Sequence, residues 1–497
     1  MYAYLQRLTA FLLLAAGATA SVAQTGSRLE LFYGGIISSE IDISSSGLFA
    51  LSGTFPGAGA AISQLRPGGE SVRWNPAGLA YMKKSLLYSE YVPPIALNLN
   101  TLLDVENRVN TTLRDNTARF AAADSLYDQR DSSIRPKISL SGGQGTYAAI
   151  VKTRYFSLGG AVHQPVRLAT NFAVSGMKFR AATQAAGGGT TLRLLGVLNG
   201  TFASEFILTG YALAVGGKLG RGFALGLGFD SFSATLESSG VFRPEAQISS
   251  GSQEFVFNSP QSSHYDSLGA ETRGAFFGDG ARIRLGFGWH KGDRWAVDVA
   301  WFAPYDIVMS GALTLRYDRI LAFNLSAEEG SEFFDAGQLL DDDFTGTHPR
   351  QTRLTNLRLS FPGRLGIALS GQWRNGSVML VYERYQSALG LAFAYASTGD
   401  STFTPLSGER EYRFAPKNAL SLAAGAEWLQ LQLGVASASL TTVHSRENLR
   451  TRRSFLLYTF SISGGFTIPH FRRMRMDYAV GFGVTSFLRF GFSYTLE

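Results

Sequence analysis

Apolar and polar residues alternate along most of the chain, which is the pattern of β-strands that have one apolar face. In residues 223–229, Phe and Leu occupy the odd positions while Ala and Gly occupy the even positions. The same period runs through residues 282–289, 295–301 and 429–435. Candidate strands of this kind number roughly fourteen to sixteen, a count that falls in the range of membrane β-barrels.

The polar face of these strands indicates what surrounds them. In a soluble β-sandwich the outer face usually carries Lys, Glu and Thr, whereas here it carries repeated glycine, alanine and isolated charges. In a membrane barrel the apolar face meets lipid, and small or polar residues line the interior. The sequence therefore predicts an all-β fold, a transmembrane antiparallel β-barrel of about 14 strands.

The composition indicates that the fold is stabilised by closing a sheet on itself rather than by disulfide bonds. The 497 residues include no Cys, so no disulfide framework stabilises the fold. The 56 Gly, 36 Phe and 20 Tyr suit long twisted strands with small inward residues and aromatic belts. The net charge of +7 is spread along the chain, which argues against a nucleic-acid partner.

The predicted connections fall into two lengths. Residues 291–294 and 374–376 predict tight turns at the periplasmic side, and four tryptophans beside such turns predict an interfacial girdle: Trp289, Trp295, Trp373 and Trp428. The polar stretches 98–136, 237–281, 320–355 and 386–417 are too long for hairpin turns. We expect them to be external loops.

The two ends of the chain predict export and outer-membrane assembly. Arg7, the apolar run 8–18 and the small residues before Gln24 predict a cleavable signal peptide in residues 1–23. A retained anchor is disfavoured because the run is shorter than the roughly 20 residues that span a bilayer. The alternating strand 489–496 is similar to the terminal aromatic strand that the outer-membrane assembly machinery recognises. We therefore expect a bacterial outer-membrane location, with that machinery, membrane lipid and lipopolysaccharide as partners.

Residues 24–84 do not fit the wall. They are rich in Gly, Ala and Ser, too apolar for an external tail and too irregular for strands. We expect them to form a plug, or hatch, inside a barrel made by residues 85–497, whose first strand covers residues 85–92.

The hatch ends in Arg-Trp-Asn-Pro-Ala-Gly-Leu-Ala, residues 73–80. This segment resembles the Asn-Pro-Ala motif of the FadL/TodX group, outer-membrane barrels that take up long-chain fatty acids and other hydrophobic compounds. Residues 361–368 and 415–428 are also similar to that group. The resemblance assigns hatch and gating roles to Trp74, Asn75, Pro76 and Ala77.

The resemblance implies a fourteen-strand barrel whose hatch blocks the lumen and shifts to let a hydrophobic ligand pass. Upstream of the motif, residues 67–72 depart from the Gly/Ala-rich run that the group usually shows. An alternative is therefore a barrel of the type nine secretion system, which has a similar Trp-Asn-Pro-Ala segment and handles protein cargo. A general porin is a further alternative.

Candidate chemistry is sparse. Arg282 and Arg284 face inward in the strand pattern and are candidates to bind a ligand carboxylate, together with Arg364 and Arg316. The alternative is a network of ion pairs in the lumen with residues such as Asp298 and Glu383. The six histidines show no metal-ligand spacing, and residues 341–343, all Asp, lack the spacing of a calcium loop. No nucleophile motif is present. The sequence thus predicts no catalytic residues, metal or cofactor.

Overall fold

The computed structural model describes residues 28–30, 36–44, 67–92, 95–98, 137–138, 144–184, 191–250, 253–257, 269–292, 294–317, 324–325, 334–335, 350–373, 376–398, 407–426, 428–444, 450–468, 473–483 and 487–496. The predicted signal peptide, residues 1–23, lies outside these ranges, as do residues 45–66 of the predicted hatch.

Strands make up nearly all of the described chain. They are β1 Arg28–Glu30, β2 Ile36–Ser44, β3 Leu86–Val92, β4 Ile95–Asn98, β5 Lys137–Ile138, β6 Gln144–Lys152, β7 Phe156–Gln184, β8 Thr191–Lys218, β9 Phe223–Ser250, β10 Gln253–Phe257, β11 Ala270–Lys291, β12 Trp295–Phe302, β13 Tyr305–Tyr317, β14 Asn324–Leu325, β15 Phe334–Asp335, β16 Arg350–Phe361, β17 Arg364–Trp373, β18 Gly376–Tyr385, β19 Leu389–Thr398, β20 Ser407–Ala426, β21 Leu429–His444, β22 Arg450–Thr467, β23 Met474–Gly483 and β24 Phe487–Thr495. The described helices are two 3-10 helices, Gly69–Val72 and Pro76–Tyr81. Among the described residues, no helix has the length and apolar character needed to cross a membrane.

A ring of fourteen antiparallel strands closes the described wall. Following the hydrogen-bonded pairs, the order is β3, β6, β7, β8, β9, β11, β12, β17, β18, β20, β21, β22, β23, β24 and back to β3. The barrel closes where the last strand pairs with the first, with Phe490 opposite Tyr91 and Thr495 opposite Leu86. The predicted all-β barrel and its strand number are confirmed.

The two faces of the wall differ as the alternation predicts. On β9, Leu225, Leu227 and Phe229 are about half exposed on the outside, while Ala224 and Asp230 are buried inside. The apolar outer band covers the residues next to the tight turns, and Trp295, Trp373 and Trp428 project from it at 52–63% exposure. Such a band of apolar and aromatic side chains is the lipid-facing surface of a transmembrane barrel.

The wall continues far above this band, which corrects two of the predicted loops. Residues 237–250 belong to β9 and residues 270–281 to β11, and the two strands pair up to Phe242 and Ala270. Residues 389–398 and 407–417 are likewise strand rather than loop. Above the lipid a wall needs no apolar outer face, so the alternation fades while the backbone ladder continues. Residues 99–136 of the predicted loops lie outside the described residues.

Three neighbouring strands are interrupted at one level. Breaks at residues 303–304, 362–363 and 386–388 divide them into lower parts, β12, β17 and β18, and upper parts, β13, β16 and β19. The upper parts connect β11 to β20 as a second tier of the wall. Proline lacks the N–H that a ladder needs, and Pro304 and Pro362 stand at the first two breaks.

Two short strands inside the predicted hatch range pair with the wall instead of lying in the lumen. β2 pairs with residues 167–175 of β7, and β1 pairs with residues 180–182. β7 has 29 residues whereas its neighbour β6 has 9, so the upper part of β7 would be an open edge without them. Covering such an edge removes a site of strand addition.

Candidate functional site

Residues 67–82 lie within the lumen at the turn-side end and are called the hatch below. Asn75 begins the second 3-10 helix, where its side-chain Oδ1 accepts a hydrogen bond of 3.1 Å from the Ala77 N–H. Pro76 takes the first helical position, where a missing N–H costs nothing. Asn75 and Ala77 are 0% exposed. The predicted motif residues therefore form a capped turn packed inside the barrel.

Polar contacts fasten the hatch to the wall. The Arg284 Nη1 donates to the Val72 carbonyl at 2.6 Å, and the Arg73 Nη1 donates to the Thr146 Oγ1 at 2.8 Å. At the other end, the Tyr81 hydroxyl donates to the Gly222 carbonyl at 2.7 Å. Because all three join hatch to strand or turn, breaking them leaves the barrel ladder intact.

At the base of the hatch, Tyr81 contacts one aromatic and one charged side chain of the wall. The Tyr81 ring stacks on the His290 ring with centroids 3.6 Å apart, and the Lys218 ammonium lies 5.8 Å from the Tyr81 ring centre. Burial and then the charge of Asp298 raise the pKa of Tyr81, so its hydroxyl stays protonated and able to donate. Asp298 itself lies 3.2 Å from the His290 Nε2.

The two arginines predicted to face inward do so, and they share Asp230. The Arg282 Nε and the Arg284 Nη2 each lie 2.7 Å from a different oxygen of the Asp230 carboxylate. Arg284 is 0% exposed and is committed to Asp230 and the hatch, whereas Arg282 is 19% exposed. Of the acidic partners named from sequence, Glu383 pairs with Arg364, which is one of the candidate arginines, whereas Asp298 lies beside His290.

Trp74 contacts another inward-facing arginine, Arg364. The Arg364 guanidinium lies 4.6 Å from the Trp74 ring centre and 3.9 Å from that of Phe302. Its Nη1 pairs at 3.1 Å with Glu383, whose other oxygen accepts from the Tyr385 hydroxyl at 3.3 Å. An arginine stacked on aromatic faces and paired with a carboxylate keeps its charge in a buried place.

Above the arginines, inward-facing apolar side chains pack together in one buried cluster, called the luminal apolar cluster below. Its most buried members are Val166, Leu208, Phe232, Ala234, Phe276, Tyr305, Ile307, Met309, Leu357 and Phe361. The rings of Phe232, Tyr305 and Phe361 stack in sequence with centroids 4.7 and 4.5 Å apart. Arg282 forms the floor, with its guanidinium 5.2 Å from Phe232 and 5.6 Å from Tyr305.

The strand breaks bring these aromatics inward. Phe302 is buried at the end of β12 and Tyr305 at the start of β13, so the inward positions change from even to odd across Pro304. The same change separates Phe361 from Arg364 across Pro362. Each break thus places two large side chains that are three positions apart in the lumen, whereas regular alternation would put them on opposite faces.

Sequence reasoning missed Asp230, Arg364 as a partner of Trp74, and Tyr81. Asp230 carried a usable signal, because it continues the inward positions 224, 226 and 228 and is the first charge among them. Tyr81 carried none, since the strand that receives it is remote in the chain. Within the described residues no group of His, Asp and Glu is arranged to hold a metal ion, and residues 341–343 lie outside them.

Comparisons with known proteins reach only distant structures. No family model and no curated protein matches the sequence. The chain is similar to the Ralstonia pickettii toluene transporter TbuX, with 11% identity and a TM-score of 0.41 over 86% of this chain and 94% of that one. A Pseudomonas aeruginosa FadL homologue has 12% identity and a TM-score of 0.41 over 94% and 100%. The CymD monoaromatic hydrocarbon channel has 10% identity and a TM-score of 0.43 over 86% and 93%.

These structures come from the group that the hatch motif resembles. At such low TM-scores the likeness carries no argument of its own, and the barrel rests on the strand pairings of this chain.

Proposed function

We propose that this chain is an outer-membrane channel for the uptake of hydrophobic compounds and that its hatch is the gate. The observation that carries the proposal is the luminal apolar cluster, which lies inside the barrel with Arg282 as its floor and the hatch beneath. An apolar molecule that moves between such side chains is withdrawn from water on its way through a wet surface layer. The role is transport, with no catalytic step, metal or cofactor.

The proposal includes the route by which the protein reaches its place. Residues 1–23 direct export and are removed after Ala23, and the assembly machinery inserts the barrel among outer-membrane lipid and lipopolysaccharide. The mass of the mature protein tests this, because cleavage after Ala23 leaves Gln24 as the first residue.

Arg282 is the proposed head-group residue if the compound is an acid such as a long-chain fatty acid. Arg282 borders the luminal apolar cluster and is partly exposed, whereas Arg284 is buried beneath it and holds the hatch. Because Asp230 already pairs with Arg282, a neutral hydrophobic compound needs no charged partner here. An acid and a neutral aromatic of similar size are therefore compared in the same assay.

Uptake measured in cells tests the gate. In a host that lacks its own channel of this kind, expression of the protein should raise uptake of a labelled long-chain acid or aromatic hydrocarbon. Asn75→Ala removes the bond to the Ala77 N–H, which weakens the turn by about 1 kcal/mol and should change the uptake rate. The gate is contradicted if Asn75→Ala leaves uptake of every compound tested at the wild-type rate.

Native mass spectrometry of the purified barrel separates the competing functions. A transporter should retain an acyl or aromatic ligand, whereas a barrel of the type nine secretion system should retain a protein. A general porin should retain neither and should give large, steady ion conductance in a planar bilayer. Bound protein or porin-like conductance from the wild-type chain would overturn the uptake proposal.

A further inference from the structure

Glycines form a lateral row across three strands where the hatch turn meets the wall. Gly226 of β9 pairs directly with Gly216 of β8 on one side and with Gly286 of β11 on the other. Glycine weakens a strand interior, because it adds backbone freedom and no packing, so three in one row need a local reason.

The reason is the closeness of the hatch. A Cβ added at Gly226 would lie closer than 3.0 Å to the backbone of Pro76 and Ala77. At Gly216 it would meet the Pro76 carbonyl, and at Gly286 the Asn75 Oδ1. Real Cβ atoms essentially never make contacts that short, so any side chain in the row requires the turn to move.

The fit is specific to the inward positions. A Cβ added at Gly217, the next residue on β8, would have its nearest neighbour at 3.7 Å, which is an ordinary van der Waals contact. Next to the row, Ala224 packs on Ala77 and Ala80 as a small apolar cluster. The wall is thus shaped to receive residues 75–77.

We propose that Gly216, Gly226 and Gly286 are positioning residues of the gate and set the closed position of the hatch. This inference rests on the proposed gating function and adds the wall residues that define the closed state. The hatch closes only as deeply as the glycine row allows, so adding one methyl group biases it toward the open position. The ladder between β8, β9 and β11 is unaffected, because the added methyl group meets hatch atoms rather than strand atoms.

Cysteine labelling measures this directly, since the natural chain contains no Cys. Ala80→Cys places a single thiol at a hatch position that is 1% exposed. In the full-length barrel, Gly226→Ala and Gly286→Ala should each raise the rate of labelling by a charged maleimide about tenfold, because the overpacked turn spends more time displaced. Gly217→Ala should leave the rate unchanged.

A double-variant comparison separates positioning from general loosening. Asn75→Ala deletes the Oδ1 atom that makes the shortest contact with a methyl group at Gly286 and leaves the Ala77 nitrogen at 2.7 Å, whereas it deletes none of the backbone atoms that block one at Gly226. In the Asn75→Ala background, Gly286→Ala should therefore add less to the labelling rate than it does alone, and Gly226→Ala should keep its full effect.

Heat-modifiable migration on a gel identifies folded barrels among these variants. Folded Gly226→Ala and Gly286→Ala proteins that label at the wild-type rate would overturn the proposal. If Gly226→Ala does not fold, Gly286→Ala with its Asn75→Ala comparison decides alone, and equal effects in both backgrounds count against it. Faster labelling without any change in uptake would uphold the glycine row and overturn the transport function instead.

Discussion

Single buried charged residues determine how the hatch contacts the lumen wall. Arg284 is 0% exposed, and its guanidinium reaches both Asp230 and the Val72 carbonyl of the hatch. A buried arginine is costly unless its charge is paired, and here Asp230 pairs the charge while the Val72 carbonyl of the hatch accepts a hydrogen bond from Nη1. The bond between Arg284 and the Val72 carbonyl therefore stabilises both the buried arginine and the position of the hatch.

Arg284→Met tests that dependence. The change leaves the Val72 carbonyl without this donor and Asp230 with one arginine fewer, so we expect a loss of about 3 kcal/mol in the free energy of unfolding. Guanidinium unfolding of the barrel in detergent measures it. Arg413→Met is the matched control, because Arg413 pairs with Glu411 on the exposed outer face and should change stability by about 1 kcal/mol or less. Equal losses in the two variants would contradict the assignment.

At the scale of strands, the breaks at Pro304 and Pro362 decide which side chains enter the lumen. A strand that kept regular alternation past Phe302 would turn Tyr305, Ile307 and Met309 outward. The break reverses this and turns these side chains into the luminal apolar cluster. The prolines thus help to form the cluster, although their own side chains are not among its buried members.

Two neighbouring residues of β13 test which positions face the lumen after the break at Pro304. Ile307 is 0% exposed in the luminal apolar cluster and Val308 is 63% exposed on the outer face. We expect Ile307→Ser to cost about 3 kcal/mol, because it loses buried apolar contacts and leaves a hydroxyl in an apolar site. Val308→Ser should stay within about 0.5 kcal/mol. Thermal loss of heat-modifiable migration ranks the two, and the reverse order would show that alternation continues unbroken through Pro304.

At the scale of the whole molecule, the barrel has two environments along its axis. Near the tight turns the outer face is apolar, as at Leu285 and Leu433. Higher up, exposed ion pairs join Asp306 to Arg358 and Arg167 to Glu205. Only the lower part suits lipid, and the upper part is a wall in water that encloses an apolar interior.

Arginine substitutions locate the boundary between these environments. Leu433→Arg places a charge in the apolar band and should cost about 2–4 kcal/mol in a bilayer. Val308→Arg, beside Arg358 in the ladder, should cost less than about 1 kcal/mol, because its surroundings are aqueous. Reversible folding into lipid vesicles gives both values. A cost at Val308 equal to that at Leu433 would mean that lipid reaches the upper wall.

Local pattern was sufficient for the lower wall and for the location of the hatch turn. The alternation at residues 223–229 and 282–289 fixes the side of each residue, since the period of a strand is two. The Asn-Pro pair at residues 75–76 predicts its own capped turn, because the cap is made within three residues. Such features need no knowledge of the rest of the fold.

The upper wall and the contacts of the hatch could not be predicted from the local sequence pattern. Strand and loop both tolerate a polar sequence in water, so residues 237–250 could be assigned only by the partners that β8 and β11 provide. The pairing of Arg284 with Asp230 and Val72 joins residues up to 212 positions apart. Sequence by itself determined a closed wall and the capped turn at residues 75–76, because those follow from the two-residue period and from a local hydrogen bond. Only the tertiary structure decided which charges meet and where glycine lets the hatch approach, because such contacts depend on how distant strands are brought side by side.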